Sequence, residues 1–263
     1  RMLFSTGVFA LNVPSNLTGI KYGHAGISDT KMFGYWVNIG GSPYTGTDRT
    51  VFSTGVNSAS GNLTSIAHSY NAGLSDGSIF GYALGSAPTS AVTDRVLFST
   101  GIFTANAASD LSVGRDLCGD ISDGSIYGYV IAGHSSVYVV TADRLVFSTG
   151  VTSANVPSDA SVASAPKGLS DNVVYGYLSI PDRLVFSTGV TSAYAGAGPS
   201  DARYGYCSYG DGIMYGYWSG GNLSGDKTTT DRLIYSTGVC SAYATGNLVT
   251  ARRYPAGMSD GRV

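Results

Sequence analysis

The sequence predicts an all-β fold assembled from six copies of one four-stranded unit. The composition points there first. The 263 residues include neither Glu nor Gln, both good helix formers, whereas Gly, Ser, Thr, Val and Tyr dominate. A first motif then recurs as SDTKMFGY (28–35), SDGSIFGY (75–82), SDGSIYGY (122–129), SDNVVYGY (170–177) and GDGIMYGY (210–217), with SDGRV at 259–263. A second recurs as RMLFSTG at the start, DRTVFSTG (48–55), DRVLFSTG (94–101), DRLVFSTG (143–150 and 182–189) and DRLIYSTG (231–238). The Arg positions 1, 49, 95, 144, 183 and 232 set a period of 39 to 49 residues. Periods of about 40–50 residues with several short strands each are those of β-propeller blades. The expectation is one domain over residues 1–263, a six-bladed propeller of four-stranded antiparallel blades, with repeats starting near those six positions.

Each unit divides in order. The stretch from Arg to the next motif Asp is 27 or 28 residues in every unit, so length variation is confined to the connection after Tyr-Gly-Tyr. R-x-h-F-S-T-G, with h an apolar residue, alternates large apolar with small or polar residues and stops at Gly, as a strand running into a turn does. A short strand such as VTSA (151–154) follows, then a polar stretch, then a strand ending at the Ser-Asp-Gly turn. Asp-Gly between two apolar stretches predicts a type I′ hairpin, which needs positive φ at both central residues. Asp171-Asn172 fits that turn nearly as well; Asp29-Thr30 does not, so the first unit is expected to turn differently. In Tyr-Gly-Tyr the two tyrosines share one strand face and the glycine occupies the other. That pattern suits a sheet stacked between two others, with one sheet's aromatics filling the gap beside its neighbour's glycine. Phe4, Phe52, Phe98, Phe147, Phe186 and Tyr235 occupy one repeat position, and burial is expected for them.

The chain opens on what the pattern makes the third strand of a blade, and its final motif begins a further one. Residues 1–10 are therefore expected to share a sheet with residues 254–259, closing a sixth blade by overlap of the N- and C-terminal strands. With no initiator Met and a motif already under way at Arg1, the chain reads as a piece of a longer or processed protein.

The four-strand order resembles the kelch-type β-propeller, in which a hairpin strand ends in a double glycine and a basic residue precedes the next inner strand. Gly40-Gly41 and Gly220-Gly221 carry this feature, weakened to Ala132-Gly133 in the third unit; two units lack it, and the outer-strand Trp usual in kelch repeats is absent. The phrase D-R-h-x-F-S-T-G-V is also similar to tandem repeats in large proteins of cyanobacteria, their phages and marine metagenomes. The resemblance implies a propeller and says little about activity.

Composition removes several function classes. A net charge of −2 with 12% charged residues lacks the basic excess of a nucleic-acid surface. No apolar run reaches the ~18 residues of a membrane helix. Cys118, Cys207 and Cys240 are widely spaced without a C-x-x-C, so they read as small buried residues, and a Cys207–Cys240 disulfide is left open. His24, His68 and His134 stand at unrelated offsets and imply no metal cluster. Sialidase-type propellers pair a Tyr with a Glu, which this chain lacks, and Asp116, Asp120 and Asp123 make neither a convincing glycosidase pair nor a Ca²⁺ site.

The position eight residues before each turn Asp is Lys21, His68, Arg115, Ala163, Arg203 and Arg252, basic in five of six units. Equivalent positions in a closed propeller encircle the axis, so these residues are the sequence's candidate ligand-binding ring, attracting an acidic glycan or carboxylates. The alternative is that each basic group is consumed by a neighbouring Asp or carbonyl. The Asp-Arg pairs that open the third strands read as structural. Trp36 and Trp218 read as core, Tyr204, Tyr206 and Tyr209 as packing residues or a sugar platform, and the N-L-T and N-L-S triplets at 16, 62 and 222 as loop architecture.

These readings favour a non-catalytic structural or adhesive module, without cofactor, in an extracellular or virion-surface assembly such as a phage tail or fibre. Its expected partners are other protein subunits of that assembly, with neither nucleic acid nor membrane insertion. The alternative is a lectin-like propeller recognising acidic cell-surface polysaccharide.

Overall fold

The computed structural model describes residues 2–3, 8–9, 17–18, 23–39, 45–201 and 203–259. Among the described residues β1 (Met2–Leu3) and β2 (Val8–Phe9) pair only with each other. Five four-stranded antiparallel sheets follow, each a meander in chain order. The first contains β3 (Ala25–Ser28), β4 (Phe33–Ile39), β5 (Gly46–Val51) and β6 (Val56–Ala59). The second contains β7 (Ala72–Ser75), β8 (Phe80–Ser86), β9 (Ser90–Leu97) and β10 (Ile102–Ala105). The third contains β11 (Gly119–Ser122), β12 (Tyr127–Ser135), β13 (Val137–Val146) and β14 (Val151–Ala154). The fourth contains β15 (Gly168–Ser170), β16 (Tyr175–Leu178), β17 (Asp182–Val185) and β18 (Val190–Ala193). The fifth contains β19 (Cys207–Gly210), β20 (Tyr215–Ser219), β21 (Thr230–Ile234) and β22 (Val239–Ala242).

The blade count is therefore five, not six. An inner strand is defined here by its ladder to the Tyr-Gly-Tyr strand that follows it. Residues 254–259 have no such ladder and carry no strand, and β1–β2 stands as a separate sheet. The expected overlap of the two chain ends in one blade is absent from the described residues. What stands between the fifth and first blades is an irregular segment: Ser28 Oγ donates to the Ser259 carbonyl at 2.9 Å. The same stitch joins inner strands elsewhere, from Ser75 to Ser28 (2.6 Å), Ser122 to Ser75 (3.3 Å) and Ser170 to Ser122 (2.5 Å). The motif serine is thus a blade-to-blade clasp.

The Ser-Asp-Gly turn differs from the expected type I′ hairpin. Four residues, not two, separate β7 from β8, and of Asp76 and Gly77 only Gly77 has positive φ (+72°). Asp76 turns the chain with its carboxylate: Oδ1 accepts the backbone N–H groups of Ser78, Ile79 and Phe80 at 2.8, 2.7 and 3.0 Å. Asp123, Asp171 and Asp211 do the same, and so does Asp29, towards Lys31, Met32 and Phe33. The first unit turns like the others because Thr30 accepts φ +58°, a conformation that costs a β-branched residue about 1–2 kcal/mol. Three charge-assisted bonds to the carboxylate outweigh that strain.

Packing between blades explains the other motif letters. The second tyrosines, Tyr35, Tyr82, Tyr129 and Tyr177, are buried and stack on Phe98, Phe147, Phe186 and Tyr235 of the following blade at 6.0–6.2 Å. Those four aromatics are buried, Phe52 is half-buried, and Phe4 lies outside the described residues. The first aromatics, Phe33, Phe80, Tyr127, Tyr175 and Tyr215, lie under the motif arginines Arg49, Arg95, Arg144, Arg183 and Arg232 at 4.4–4.9 Å. The gap beside the central glycine is filled by an aliphatic side chain rather than an aromatic. A Cβ on Gly128 would lie 2.7 Å from Leu74 Cδ1, and one on Gly176 would lie 2.5 Å from Ile121 Cδ1. Leu74 and Ile121 sit on the preceding blade's inner strand, which a glycine lets approach.

Candidate functional site

Of the five basic positions of the sequence four are described, three of them buried and paired and one exposed. His68 is fully buried, with Nε2 2.8 Å from Asp94 Oδ2 and Nδ1 2.9 Å from the Gly85 carbonyl. Arg115 is fully buried; Nη1 lies 2.8 Å from Asp143 Oδ2 and Nη2 donates to the Val130 carbonyl at 2.9 Å. Arg203 donates from Nη2 to Asp231 Oδ2 at 2.6 Å and to the Trp218 carbonyl at 3.1 Å, and pairs with Asp201 through Nη1. In each case one acceptor is the motif Asp on the third strand of the same blade, Asp94, Asp143 or Asp231. A serine N–H also bonds the motif Asp in these units, from Ser65, Ser112 and Ser200; where the fourth unit has the exposed Ala163, Asp182 accepts from both the N–H and the hydroxyl of Ser161. Arg252 is exposed, and Lys21 lies outside the described residues. Burial works to raise the Asp94 carboxyl, but the His68 and Ser65 hydrogen bonds prevail and hold it below its ordinary value.

Two residues further along each unit is a ring the sequence reading missed. Gly23, Tyr70, Leu117, Ala165, Gly205 and Tyr254 stand six residues before each motif Asp, and all six line one cavity of about 210 Å³. Backbone hydrogen bonds run between these equivalent positions: Tyr70 N–H to the Gly23 carbonyl (2.6 Å), Leu117 N–H to the Tyr70 carbonyl (2.8 Å) and Tyr254 N–H to the Gly205 carbonyl (2.5 Å). The cavity is therefore axial, encircled by every unit. Holding this geometry puts Tyr70, Leu117 and Tyr254 at φ +54°, +55° and +50°, where bulky residues are rare. Their rings spread over the small members: a Cβ on Gly23 would lie 2.3 Å from Tyr70, and one on Gly205 2.8 Å from Tyr254. Tyr70 and Tyr254 meet edge to face at 5.2 Å, Tyr204 flanks Tyr254 at 6.4 Å, and Tyr138 completes the aromatic wall. The sequence signal was the recurrence of only Gly, Tyr, Leu or Ala at one fixed offset.

Adjoining the cavity, and sharing His24, Lys167 and Pro255 with it, is a smaller channel of about 40 Å³ lined also by Asn71, Asp120, Cys207 and Ser208. Asn71 is only 2% exposed, and neither its amide nitrogen nor its oxygen has a hydrogen-bond partner. Asp120 Oδ2 accepts the Gly73 N–H at 2.9 Å. Tyr206 reaches the cavity from the fifth unit; burial pushes its hydroxyl up to about 12, so it remains neutral.

Burial also pushes the Asp120 carboxyl above its ordinary value, against the pull of Lys167 and the Gly73 N–H. A carboxyl whose folded pKa is raised contributes stability at acid pH that is lost as pH rises from the unfolded value, about 3.9, through the folded one. Asp120→Asn keeps an acceptor for Gly73 and is expected to melt above the parent at pH 7, the two curves converging below about pH 4. Thermal melts from pH 3.5 to 7.5 check this; a lower melting temperature for the variant at pH 7 would mean that the ionised carboxylate stabilises the fold.

The opposite end of every blade carries two turns, joined by a bond such as Phe147 N–H to the Ile126 carbonyl (3.0 Å). The first turn exposes Met32, Ile79, Ile126, Val174 or Met214, and the second Val56, Ile102, Val151, Val190 or Val239, each 43–57% exposed. The turn carboxylates beside them are occupied by backbone N–H groups. This end therefore presents ten repeated aliphatic side chains.

No protein-family model matches the chain, and no curated protein sequence matches it. Among solved structures, that of YjhT is similar, with a TM-score of 0.71 and 11% sequence identity over 94% of this chain and 90% of YjhT. The fold is a β-propeller. At this identity the likeness shows the fold alone.

The remaining candidates take structural places in the propeller. Trp218 is fully buried, and Trp36 is half-buried with Nε1 donating to Thr50 Oγ1 at 2.9 Å. Tyr209 Oη lies 2.5 Å from Ser219 Oγ, and its ring stacks on Tyr217 at 5.5 Å. Of the three clustered aspartates, Asp116 lies 3.4 Å from His134, Asp120 faces the channel and Asp123 caps a turn. Among the described residues no three His, Cys or Asp side chains are grouped to hold a metal ion, and no helix is long and apolar enough to cross a membrane. The three cysteines are free thiols. Asn62 donates from Nδ2 to the Gly101 carbonyl of the next blade at 2.8 Å, and Asn222 to Asp226 at 3.1 Å.

Proposed function

We propose that this propeller is a non-catalytic interaction module that seats another protein subunit on its turn face. The observation that carries the reading is the repetition of exposed Met, Ile and Val at the same two turn positions in all five blades. Isolated apolar residues on a surface need no explanation, but a regular apolar field on one face fits a protein contact. The charges near it are spent, since the turn aspartates accept three backbone N–H groups each, so the matching surface is apolar protein rather than a polyelectrolyte. The D-R-x-x-F-S-T-G wording of the repeats, similar to that in cyanobacterial and phage-associated tandem arrays, supports placing the module in an extracellular or virion-surface assembly. A non-catalytic role is supported by the absence of Glu and by the engagement of most aspartates as turn caps or buried counter-ions.

The test is a triple variant, Ile79→Lys, Ile126→Lys and Val174→Lys. Because all three side chains are exposed, its melting temperature is expected to stay within about 2 °C of the parent, consistent with the small effects of surface changes. Affinity purification from the native source, with quantified recovery, is expected to lose the parent's principal partners. Equal recovery of the same proteins by parent and variant would reject the turn face as the contact.

A further inference from the structure

We propose that the axial cavity at the other end of the propeller binds one ring of a neutral carbohydrate, such as the terminal hexose of a glycan. This stands independently of the turn face. Two unrelated observations mark the cavity as a built site. The backbone at Tyr70, Leu117 and Tyr254 is held in the left-handed region, although equivalent units use glycine, and the strained side chains form the mouth. Such outliers gather where a ligand or mechanism needs them. In the smaller channel that shares His24, Lys167 and Pro255 with the cavity, Asn71 is 2% exposed with both ends of its amide unpartnered. A buried amide without partners is costly, and a ligand that supplies them recovers that cost.

The lining chooses among ligand classes. Among the described lining residues a phosphate or sulfate would meet one Lys or Arg, Lys167, with the Asp120 carboxylate in the same channel. A cation would meet Lys167. A purely apolar ligand would leave the Asn71 amide unpaired. A sugar hydroxyl both donates and accepts, so a ring seated in the cavity can meet the Lys167 ammonium there and direct hydroxyls through the adjoining channel, which shares Lys167, to the Asn71 amide and the Asp120 carboxylate. Its C–H faces rest against Tyr70, Tyr204 and Tyr254, whose amphipathic rings suit a ligand that is apolar on its faces and polar at its rim. A cavity of about 210 Å³ is smaller than the ~300–1,000 Å³ of drug-sized pockets and fits one ring rather than a buried chain.

Saturation-transfer NMR with D-glucose, D-galactose, D-mannose and N-acetyl-D-glucosamine tests the proposal, with N-acetylneuraminate and inorganic phosphate as charged comparators. At least one neutral sugar is expected to bind, with affinity unchanged between 50 and 500 mM NaCl, and a trisaccharide ending in that sugar tests whether the natural source is a glycan end. Asn71→Ala is expected to weaken binding at least tenfold. Tyr254→Gly removes the ring while easing the backbone at φ +50°, so the variant folds and should also lose at least tenfold. Binding confined to the charged comparators, no binding by any neutral sugar, or undiminished binding by both variants would each overturn the assignment. The turn-face triple variant should bind the sugar like the parent, which separates failure of this site from failure of the interaction surface.

Discussion

Asp143→Ala is expected to destabilise the protein by about 3–5 kcal/mol, among the largest effects of any single substitution in the chain. Asp143 and Arg115 are 1% and 0% exposed, with Nη1 and Oδ2 2.8 Å apart. Removing the carboxylate leaves a guanidinium in the interior with neutral acceptors such as the Val130 and Val113 carbonyls and no counter-charge from Asp143. It also removes the acceptor of the Ser112 N–H, 3.2 Å from Oδ2. The pair as a whole is worth far less than this loss, because taking both charges out of water is itself expensive. The double variant Arg115→Met/Asp143→Leu should therefore recover most of the stability. Urea unfolding of parent, single and double variants measures both quantities. A single variant within about 1 kcal/mol of the parent would mean that Arg115 is solvated, and the reading of Asp-Arg and its upstream basic residue as an internal clamp would fall.

Phe147→Ala should cost about 3–5 kcal/mol by a different route, the loss of packing between two blades. The ring is 5% exposed, stacks on Tyr82 of the preceding blade at 6.0 Å, and its edge would lie 3.1 Å from a Cβ on Gly128. Glycine cannot fill the space that the phenyl leaves, and Tyr82 is held by its own strand, so the cavity persists. Phe52 occupies the same repeat position but is half-buried, and Phe52→Ala should cost visibly less. Equal losses for the two variants, or a Phe147→Ala variant that melts with the parent, would show that this position does not carry the blade contact.

Much of this protein is set locally and was open to reading from the sequence. Strand order, antiparallel pairing within a unit and the burial of the motif aromatics follow from alternation over a few residues and from turn chemistry. Asp29-Thr30 shows the limit of that reading even at short range. Turn tables reject threonine at positive φ, yet three N–H groups converging on one carboxylate impose the turn. The number of blades lies further out of reach, because a repeat motif reports the start of a unit, whereas a blade exists only where strands find ladder partners. Residues 254–259 lead into the last copy of the motif and have no such partners among the described residues. The function of the basic positions was undecidable from spacing for the same reason. Arg115 and Asp143 are 28 residues apart, and only the folding of one blade places them at 2.8 Å and away from water. The axial cavity is wholly a product of tertiary structure. Tyr70, Asn71, Asp120, Lys167 and Tyr254 belong to four different units, and ring closure alone brings their side chains to the cavity and the channel adjoining it.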